Sequence, residues 1–205
     1  MFTPNKFKMI DLSEQQQFIH EFGFGVIVSN VNGLSATHLP FVLQSNEGEQ
    51  GVLYAHCAKA NPLWKSIEGQ NVLVIFTGPH AYISPSWYNT KPAVPTWNYT
   101  AVHAYGVASL LNPQDTLKTV DQVVEKYEPQ LLVDRDIVTD TIKHKMLAGI
   151  VGFKIELRKL QGKLKLGQHR SKDDQAGVYK TLSSSGNSND LALAKYMQKI
   201  NIGCH

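Results

Sequence analysis

The chain has 205 residues, of which 42% are hydrophobic and 18% charged, and its formal net charge is +3. This composition is that of a soluble globular protein, and the mild basicity alone is weak support for a nucleic-acid partner. We find no membrane span and no signal-peptide core. The two cysteines, Cys57 and Cys204, lie far apart, so we expect no disulfide and a cytoplasmic protein.

The first part of the chain predicts an antiparallel β-meander with two short helices. Ser13 and Gln16 fit a capping box, and Asn32-Gly33 is a pair favoured at a type I′ hairpin turn. The predicted elements are a helix over 13–22, a strand from 26, a return strand over 34–43 interrupted at Pro40, a strand over 51–58 and a helix over 61–68.

The central stretch, 72–103, predicts the lining of a binding site. No carboxylate occurs between Glu68 and Asp115, and Lys91 is the only formal charge there. Aromatic faces with a few polar groups suit a flat, partly polar ligand, although they equally suit an ordinary barrel core. The aromatic side chains in and beside this stretch include Tyr82, Trp87, Tyr88, Trp97, Tyr99 and Tyr105.

Prolines divide the same stretch into strands. Proline has no N–H to give to a sheet, so we expect turns or loops at Pro79 and over 85–95. The intervening strands are predicted over 72–76, 81–84 and 97–110. This makes six or seven strands, which predicts a small closed β-barrel, because an open meander of this length would leave exposed edges.

The last part of the chain is more helical. Its predicted elements are a helix from Asn112-Pro113 to about Tyr127 that buries Leu117, Val120, Val123 and Val124, a helix over 135–147, a strand over 151–160, a basic loop over 161–172 and a helical region over 173–201 that breaks at 183–188. In the strand, alternation places Phe153, Ile155 and Leu157 on the inner face.

Four histidines fall in or beside the predicted barrel strands: His38, His56, His80 and His103. A zinc site needs three or four converging ligands, but the spacing here matches no known zinc motif, which favours core or pocket histidines. The chain also has no GxSxG elbow, no GxGxxG and no P-loop.

Two groups of residues suit an anion. A phosphate could be bound by the cation of Lys59, the amide of Asn61 and the backbone N–H groups at the helix start after Pro62. The same residues are also typical of an ordinary capped helix beside a solvated lysine. Residues 154–172 carry seven cations against the single acid Glu156. Such a block binds phosphate or DNA, or is solvated surface, and no helix-turn-helix signature accompanies it.

Four motifs resemble one known family. ATHLPF (36–41), AHCAKANPLWK (55–65), VLVIFTGPHAYISPSWY (72–88) and VPTWNYTAVHAYG (94–106) are similar to the FMN-binding negative transcriptional regulators, the PaiB-like proteins. The resemblance runs along nearly the whole chain, including the N-terminal MFTPNKF.

The resemblance implies an α+β, mainly β, split β-barrel of the pyridoxamine-phosphate-oxidase-like type with flanking helices. The barrel domain would cover 1–160, and 161–205 would be its basic loop and C-terminal helical extension. The family also implies a homodimer with FMN at the subunit interface and repression of bacterial genes for degradative enzymes and sporulation. DNA is then a candidate further partner.

The resemblance, together with the residue types, gives a set of candidate FMN-binding residues. We expect the phosphate near Lys59 and Asn61 and the ring system against 37–40 and 80–84, with the partner's Gln168 and Arg170 closing the site. The full set is Thr37, His38, Leu39, Pro40, His56, Lys59, Asn61, His80, Ala81, Tyr82, Ser84, Trp97, Asn98, Tyr99, Gln168 and Arg170.

One motif departs from the family, since KLGQHR (165–170) stands where the family has a KLSQNR-like stretch. Gly167 lacks the hydroxyl and His169 replaces an amide, so ligand contacts by those two side chains are in doubt. Two alternatives to a regulator remain: an FMN- or haem-dependent oxidoreductase on the same fold, and a metal protein built on the four histidines.

Overall fold

The computed structural model describes residues 1–31, 33–134 and 136–204. The helices are α1 (Leu12–Glu21), α2 (Trp64–Ile67), α3 (Pro113–Tyr127), α4 (Asp140–Leu147), α5 (Lys172–Ser183) and α6 (Ser188–Lys199). The strands are β1 (Lys8–Met9), β2 (Phe24–Ser29), β3 (Ser35–Pro40), β4 (Val42–Gln44), β5 (Val52–Ala58), β6 (Asn71–Ile83), β7 (Thr96–Leu110) and β8 (Ile150–Lys165).

The strands form one antiparallel sheet in the order β3-β2-β6-β7-β8-β5-β4, and β1 pairs with β8. The chain divides into two compact units. Unit 1 contains 1–11, 77–102 and 161–205, and unit 2 contains 12–76 and 103–160. Strands β6, β7 and β8 each pass from one unit to the other. None of the described helices is long and apolar enough to cross a bilayer.

Unit 2 contains the hairpin that the sequence predicts between the first two long strands. β2 and β3 pair from Ser29↔Ser35 to Phe24↔Pro40, and Gly33 has a φ of +103°, which favours glycine. Asn32, the other half of the predicted turn, lies outside the described residues. The core of this unit includes edge-to-face contacts of Phe41 with Phe76 and Phe153.

Helix α3 has the predicted bounds but not the predicted buried face. Asn112 caps it, because its side chain accepts a hydrogen bond from the N–H of Asp115 at 2.8 Å. The buried residues are Thr116 and Thr119, whereas the four predicted apolar residues are half-buried. The reason is a close approach to β8: a Cβ at Gly152 would lie 2.5 Å from Thr116 Oγ1, so only a small side chain fits there.

The predicted bounds of two strands and one helix are wrong. β6 continues through Pro79, because its register with β2 ends at Phe76 and the missing proline N–H costs no pairing with that strand. β8 continues to Lys165, so 161–165 is strand and not loop. Helix α4 begins at Asp140, capped by Thr139, rather than near 135, and Arg135 itself lies outside the described residues.

Unit 1 ends in two helices that confirm the predicted break. α5 and α6 each have 12 residues and are separated by 184–187. The N–H of Thr90 donates a hydrogen bond to the buried carboxylate of Asp174 at 2.8 Å, which ties the proline-rich loop to α5. A Cβ at Gly177 would lie 2.3 Å from the carbonyl oxygen of Trp87, so the helix and the loop are in close contact.

Candidate functional site

The predicted site residues of unit 2 lie on β3, on β5 and in the loop that follows β5. The Nδ2 of Asn61 donates a hydrogen bond to Thr37 Oγ1 at 3.3 Å, so the structure brings two members of the set together. Leu39 is buried, whereas His38 is exposed and stacks on Phe24 at 6.0 Å between ring centroids. His38 therefore lies on the opposite face of β3 from Leu39.

Thr37 and Asn61 line a cleft of about 560 Å³ in unit 2. Its walls also contain Ser35, Lys65 and Ser66, so hydroxyl, amide and ammonium groups face one space. This volume lies within the usual range for small-molecule sites of about 300–1,000 Å³. Lys65 and Ser66 were not in the predicted set, although AHCAKANPLWK, the motif that carried the resemblance, ends at Lys65.

Lys59 lies at a different cleft from Asn61. That cleft, of about 430 Å³, is lined mainly by apolar residues of 111–116 and 147–151, together with His144. The Lys59 carbonyl accepts a hydrogen bond from Trp64 Nε1 at 3.0 Å, and the Lys59 backbone N–H donates a hydrogen bond to the Gly149 carbonyl at 2.8 Å. Lys59 and Asn61, which the sequence grouped as a phosphate anchor, therefore line different clefts.

The predicted helix over 61–68 is only the single turn α2. Asn61 Oδ1 accepts from the N–H of Leu63 at 3.0 Å, and the N–H groups of Lys65 and Ser66 donate to backbone carbonyls. A one-turn helix has little aligned dipole, and the N–H groups of Leu63, Lys65 and Ser66 already have partners. The helix is therefore shorter than predicted and favours an anion less than the sequence suggested, while anion binding here stays a prediction.

His56 is the most unusual member of the set in unit 2. Its Nδ1 is buried and has no hydrogen-bond partner among the described residues. Burial lowers the pKa of His56 from its ordinary value of 6.5, which favours the neutral ring. Buried polar atoms are rarely left unpaired, so a hydrogen-bond partner from outside the described residues would explain this nitrogen.

The predicted residues on β6 and β7 of unit 1 form an aromatic cluster. Trp97 contacts His80 at 6.2 Å and Tyr82 at 6.3 Å between ring centroids, and 54% of Trp97 is exposed. Ala81 is buried behind this cluster, and Ser84 accepts a hydrogen bond from the N–H of Ser86. The exposed rings offer a flat apolar contact with adjacent polar edges.

Asn98 and Tyr99 lie on opposite faces of β7. Asn98 is buried, whereas Tyr99 is half-buried beneath Lys163, whose Nζ lies 5.0 Å from its ring centroid. Only 7% of Lys163 is exposed, and its Nζ donates a hydrogen bond to the Phe2 carbonyl at 3.1 Å. Lys163 therefore has a structural role, which its place in a predicted loop did not indicate.

Gln168 and Arg170 have different environments in unit 1. Both ends of the Gln168 amide bond the backbone, since Oε1 accepts from the N–H of Leu166 at 2.9 Å and Nε2 donates to the Leu164 carbonyl at 2.5 Å. Arg170 stacks on Tyr88 at 4.4 Å, and its Nε is buried without a partner among the described residues. Arg170 thus retains donor capacity for a ligand, whereas Gln168 holds the turn.

The departures at Gly167 and His169 have structural explanations. Gly167 has a φ of +81°, a backbone conformation that favours glycine over serine. His169 packs edge-on against Phe7 at 5.3 Å, and burial together with Lys6 and other nearby cations lowers its pKa. Within residues 1–31, 33–134 and 136–204, no three His, Cys, Asp or Glu side chains are placed to hold a metal ion.

The family comparison identifies the class of protein. Residues 1–159 match the model of a family described as "Putative FMN-binding domain". The chain belongs to this family, and FMN is its cofactor. Each unit offers groups that fit FMN: unit 2 has polar groups for a phosphate and an unpaired nitrogen on His56, and unit 1 has exposed rings for a flavin and an unpaired nitrogen on Arg170.

One curated relative covers nearly the whole chain. It is the "Protease synthase and sporulation protein PAI 2" of Bacillus subtilis, which is 38% identical over 204 residues and 97% of both chains. This confirms the resemblance to PaiB-like proteins.

Two solved structures share the fold. The flavocytochrome Anf3 of Azotobacter vinelandii has a TM-score of 0.60 at 14% identity, over 78% of this chain and 69% of that one. The FAD and heme binding protein of Mycobacterium smegmatis also has a TM-score of 0.60, at 11% identity, over 77% of this chain and 73% of that one. At such identities the likeness shows the fold alone, which is the predicted split β-barrel.

Proposed function

We propose that this flavoprotein is a repressor of transcription that acts on bacterial genes for degradative enzymes or sporulation. The observation that carries the proposal is the 38% identity, over 97% of both chains, to a protein named for protease synthesis and sporulation. A repressor acts where the DNA is, so we also propose a cytoplasmic location. We assign FMN binding to 1–160, since the family match ends at 159, and treat 161–205 as an extension.

For the cofactor, we infer that the FMN phosphate is held in the cleft of Thr37, Asn61 and Lys65. A phosphate accepts strong hydrogen bonds from ammonium, amide and hydroxyl donors, all of which line this cleft. Lys59 is the second candidate cation. The other predicted residues, including His56, Arg170 and the His80–Tyr82–Trp97 cluster, would contact the ribityl chain or the rings.

We propose that the working form is a homodimer with FMN at the subunit interface. Large apolar side chains are exposed on each unit, including Leu34 (81%) and Phe24 (62%) of unit 2 and Trp97 of unit 1. Covering them removes apolar surface from water, which favours association with a second copy. A symmetric dimer would also supply two equivalent sites.

A DNA-binding experiment with the FMN-loaded protein tests the regulatory role. Duplexes from upstream of extracellular protease and sporulation genes would be compared with random duplexes at several salt concentrations. A repressor should prefer at least one upstream duplex by about 10³-fold or more at physiological salt. Equal affinity for every duplex, together with flavin-dependent turnover of a reductant, would contradict the proposal and favour the oxidoreductase alternative.

A further inference from the structure

Charge is distributed unequally between the two units. Unit 1 contains ten Lys and Arg residues against four Asp and Glu, a net charge of +6. Unit 2 contains ten against thirteen, a net charge of −3. The small net charge of the whole chain therefore conceals one basic and one acidic part, and phosphate-rich partners are attracted to the basic part.

Unit 1 also contains a helix pair that the sequence did not identify as a DNA-reading element. α5 and α6 pack on each other, and the four residues between them include Gly186. A three- or four-residue turn with glycine is the connection found in helix-turn-helix proteins. Each helix buries an apolar face, which contains Val178 and Leu182 in α5 and Leu193 and Met197 in α6.

The exposed side chains of α6 are of the types that read base edges. Asn189 lies in its first turn, and Lys195 and Gln198 follow toward its C-terminus, all three exposed. Amide and ammonium groups donate hydrogen bonds to purines in the major groove, which is wide enough to admit an α-helix. The N-terminal turn of such a helix makes the base contacts in helix-turn-helix complexes.

A second group of exposed cations lies near the N-terminus of unit 1. Lys6 and Lys8 are both exposed, and Lys8 pairs in register with Lys163 of β8. The contact of Phe7 with His169 brings this segment to the basic turn at 167–170. Exposed lysines of this kind contact DNA phosphates without reading sequence.

We propose that unit 1 carries the surface that contacts duplex DNA, with α6 facing the bases and Lys6 and Lys8 contacting phosphates. This proposal rests on the proposed repressor function and adds the part of the molecule that binds DNA. Unit 2, whose net charge is −3, is not part of the proposed surface.

Charge-reversed variants of the FMN-loaded protein test this surface. The unit 1 variants are Lys6→Glu with Lys8→Glu, and Lys195→Glu alone. The control is Lys118→Glu with Lys145→Glu, which changes two exposed lysines of unit 2 that lie outside the basic block at 154–172. Binding to a random-sequence duplex of about 30 base pairs is measured by fluorescence anisotropy over a salt series, which counts phosphate contacts. Flavin content and circular dichroism verify folding.

We expect the double variant of unit 1 to weaken binding by about tenfold or more at low salt, and to reduce the salt slope by about two. Lys195→Glu should reduce the slope by about one, and the control should match the wild type. Unit 1 variants that bind like the wild type, or a control that loses as much, would overturn this assignment while the repressor proposal stands. A wild type that binds no duplex would overturn both.

Discussion

At the scale of single residues, His56 has a buried ring nitrogen without a partner, and this has a consequence for stability. Burial lowers the pKa of His56 below 6.5, so as pH falls the unfolded chain takes up the proton first. Stability from this group is therefore complete above pH 6.5 and decreases as pH falls toward the folded pKa. We expect His56→Gln, which cannot titrate, to lose part of this acid destabilisation.

The measurement is the free energy of unfolding of the FMN-free protein by urea at several pH values between about 4.5 and 7.5. One proton accounts for at most about 1.4 kcal/mol per pH unit, less for a partly exposed group. Some slope should remain, because burial also lowers the pKa values of His103 and His169. His20→Gln, on the exposed face of α1, is the control, and equal slopes for His56→Gln and wild type would contradict the account.

Some residue environments could be predicted from the sequence and others could not. Alternation over 151–160 correctly placed Phe153, Ile155 and Leu157 in the core, because burial follows the strand period. Lys163 gave no such signal, since its burial depends on Tyr99 of another strand and on the distant Phe2 carbonyl. The sequence also gave no signal that Lys59 and Asn61 line different clefts, because this depends on how the loop after β5 folds.

At the scale of elements, capping residues were informative in one helix and misleading in another. Asn112 predicted the start of α3, because a cap is a local interaction, and the break over 183–188 predicted the bounds of α5 and α6 to within about two residues. Ser13, predicted to cap α1, is instead the second residue of that helix. Pro79 misled the strand prediction, since whether a proline interrupts a sheet depends on which neighbouring strand extends past it. Pairing partners are set by tertiary structure, which local propensity does not contain.

Helix α5 is in close contact with the loop at 85–90. Gly177→Ala would place a Cβ 2.3 Å from the Trp87 carbonyl oxygen, so helix or loop must move. We expect a loss of about 1–3 kcal/mol in the free energy of unfolding, the usual cost of overpacking. Gly186→Ala is the matched control, because no heavy atom lies within 4 Å of its added Cβ. Urea unfolding of both variants decides, and equal stabilities would mean that the contact is not tight.

At the scale of the whole molecule, three long strands belong to both units, and the family match covers 1–159. The resemblance of four motifs predicted the fold and the cofactor correctly from the sequence. The positions of individual ligand contacts stay a prediction, and in the proposed homodimer they would also depend on a second chain. Exposed aromatic rings and unpaired buried nitrogens are the features of this chain that such a ligand site would explain.

We propose that this FMN protein holds the phosphate of FMN at the cleft of Thr37, Asn61 and Lys65. Quenching of flavin fluorescence measures the dissociation constants of FMN and of riboflavin, which lacks the phosphate, for the wild type, Lys65→Ala and Lys59→Ala. We predict that Lys65→Ala weakens FMN binding about tenfold, because a charge-assisted hydrogen bond contributes about 1.5–3 kcal/mol. The same substitution should weaken riboflavin binding far less, because riboflavin has no phosphate. A wild type that binds neither flavin would contradict the account, and a selective loss of FMN in Lys59→Ala alone would move the phosphate to the Lys59 cleft.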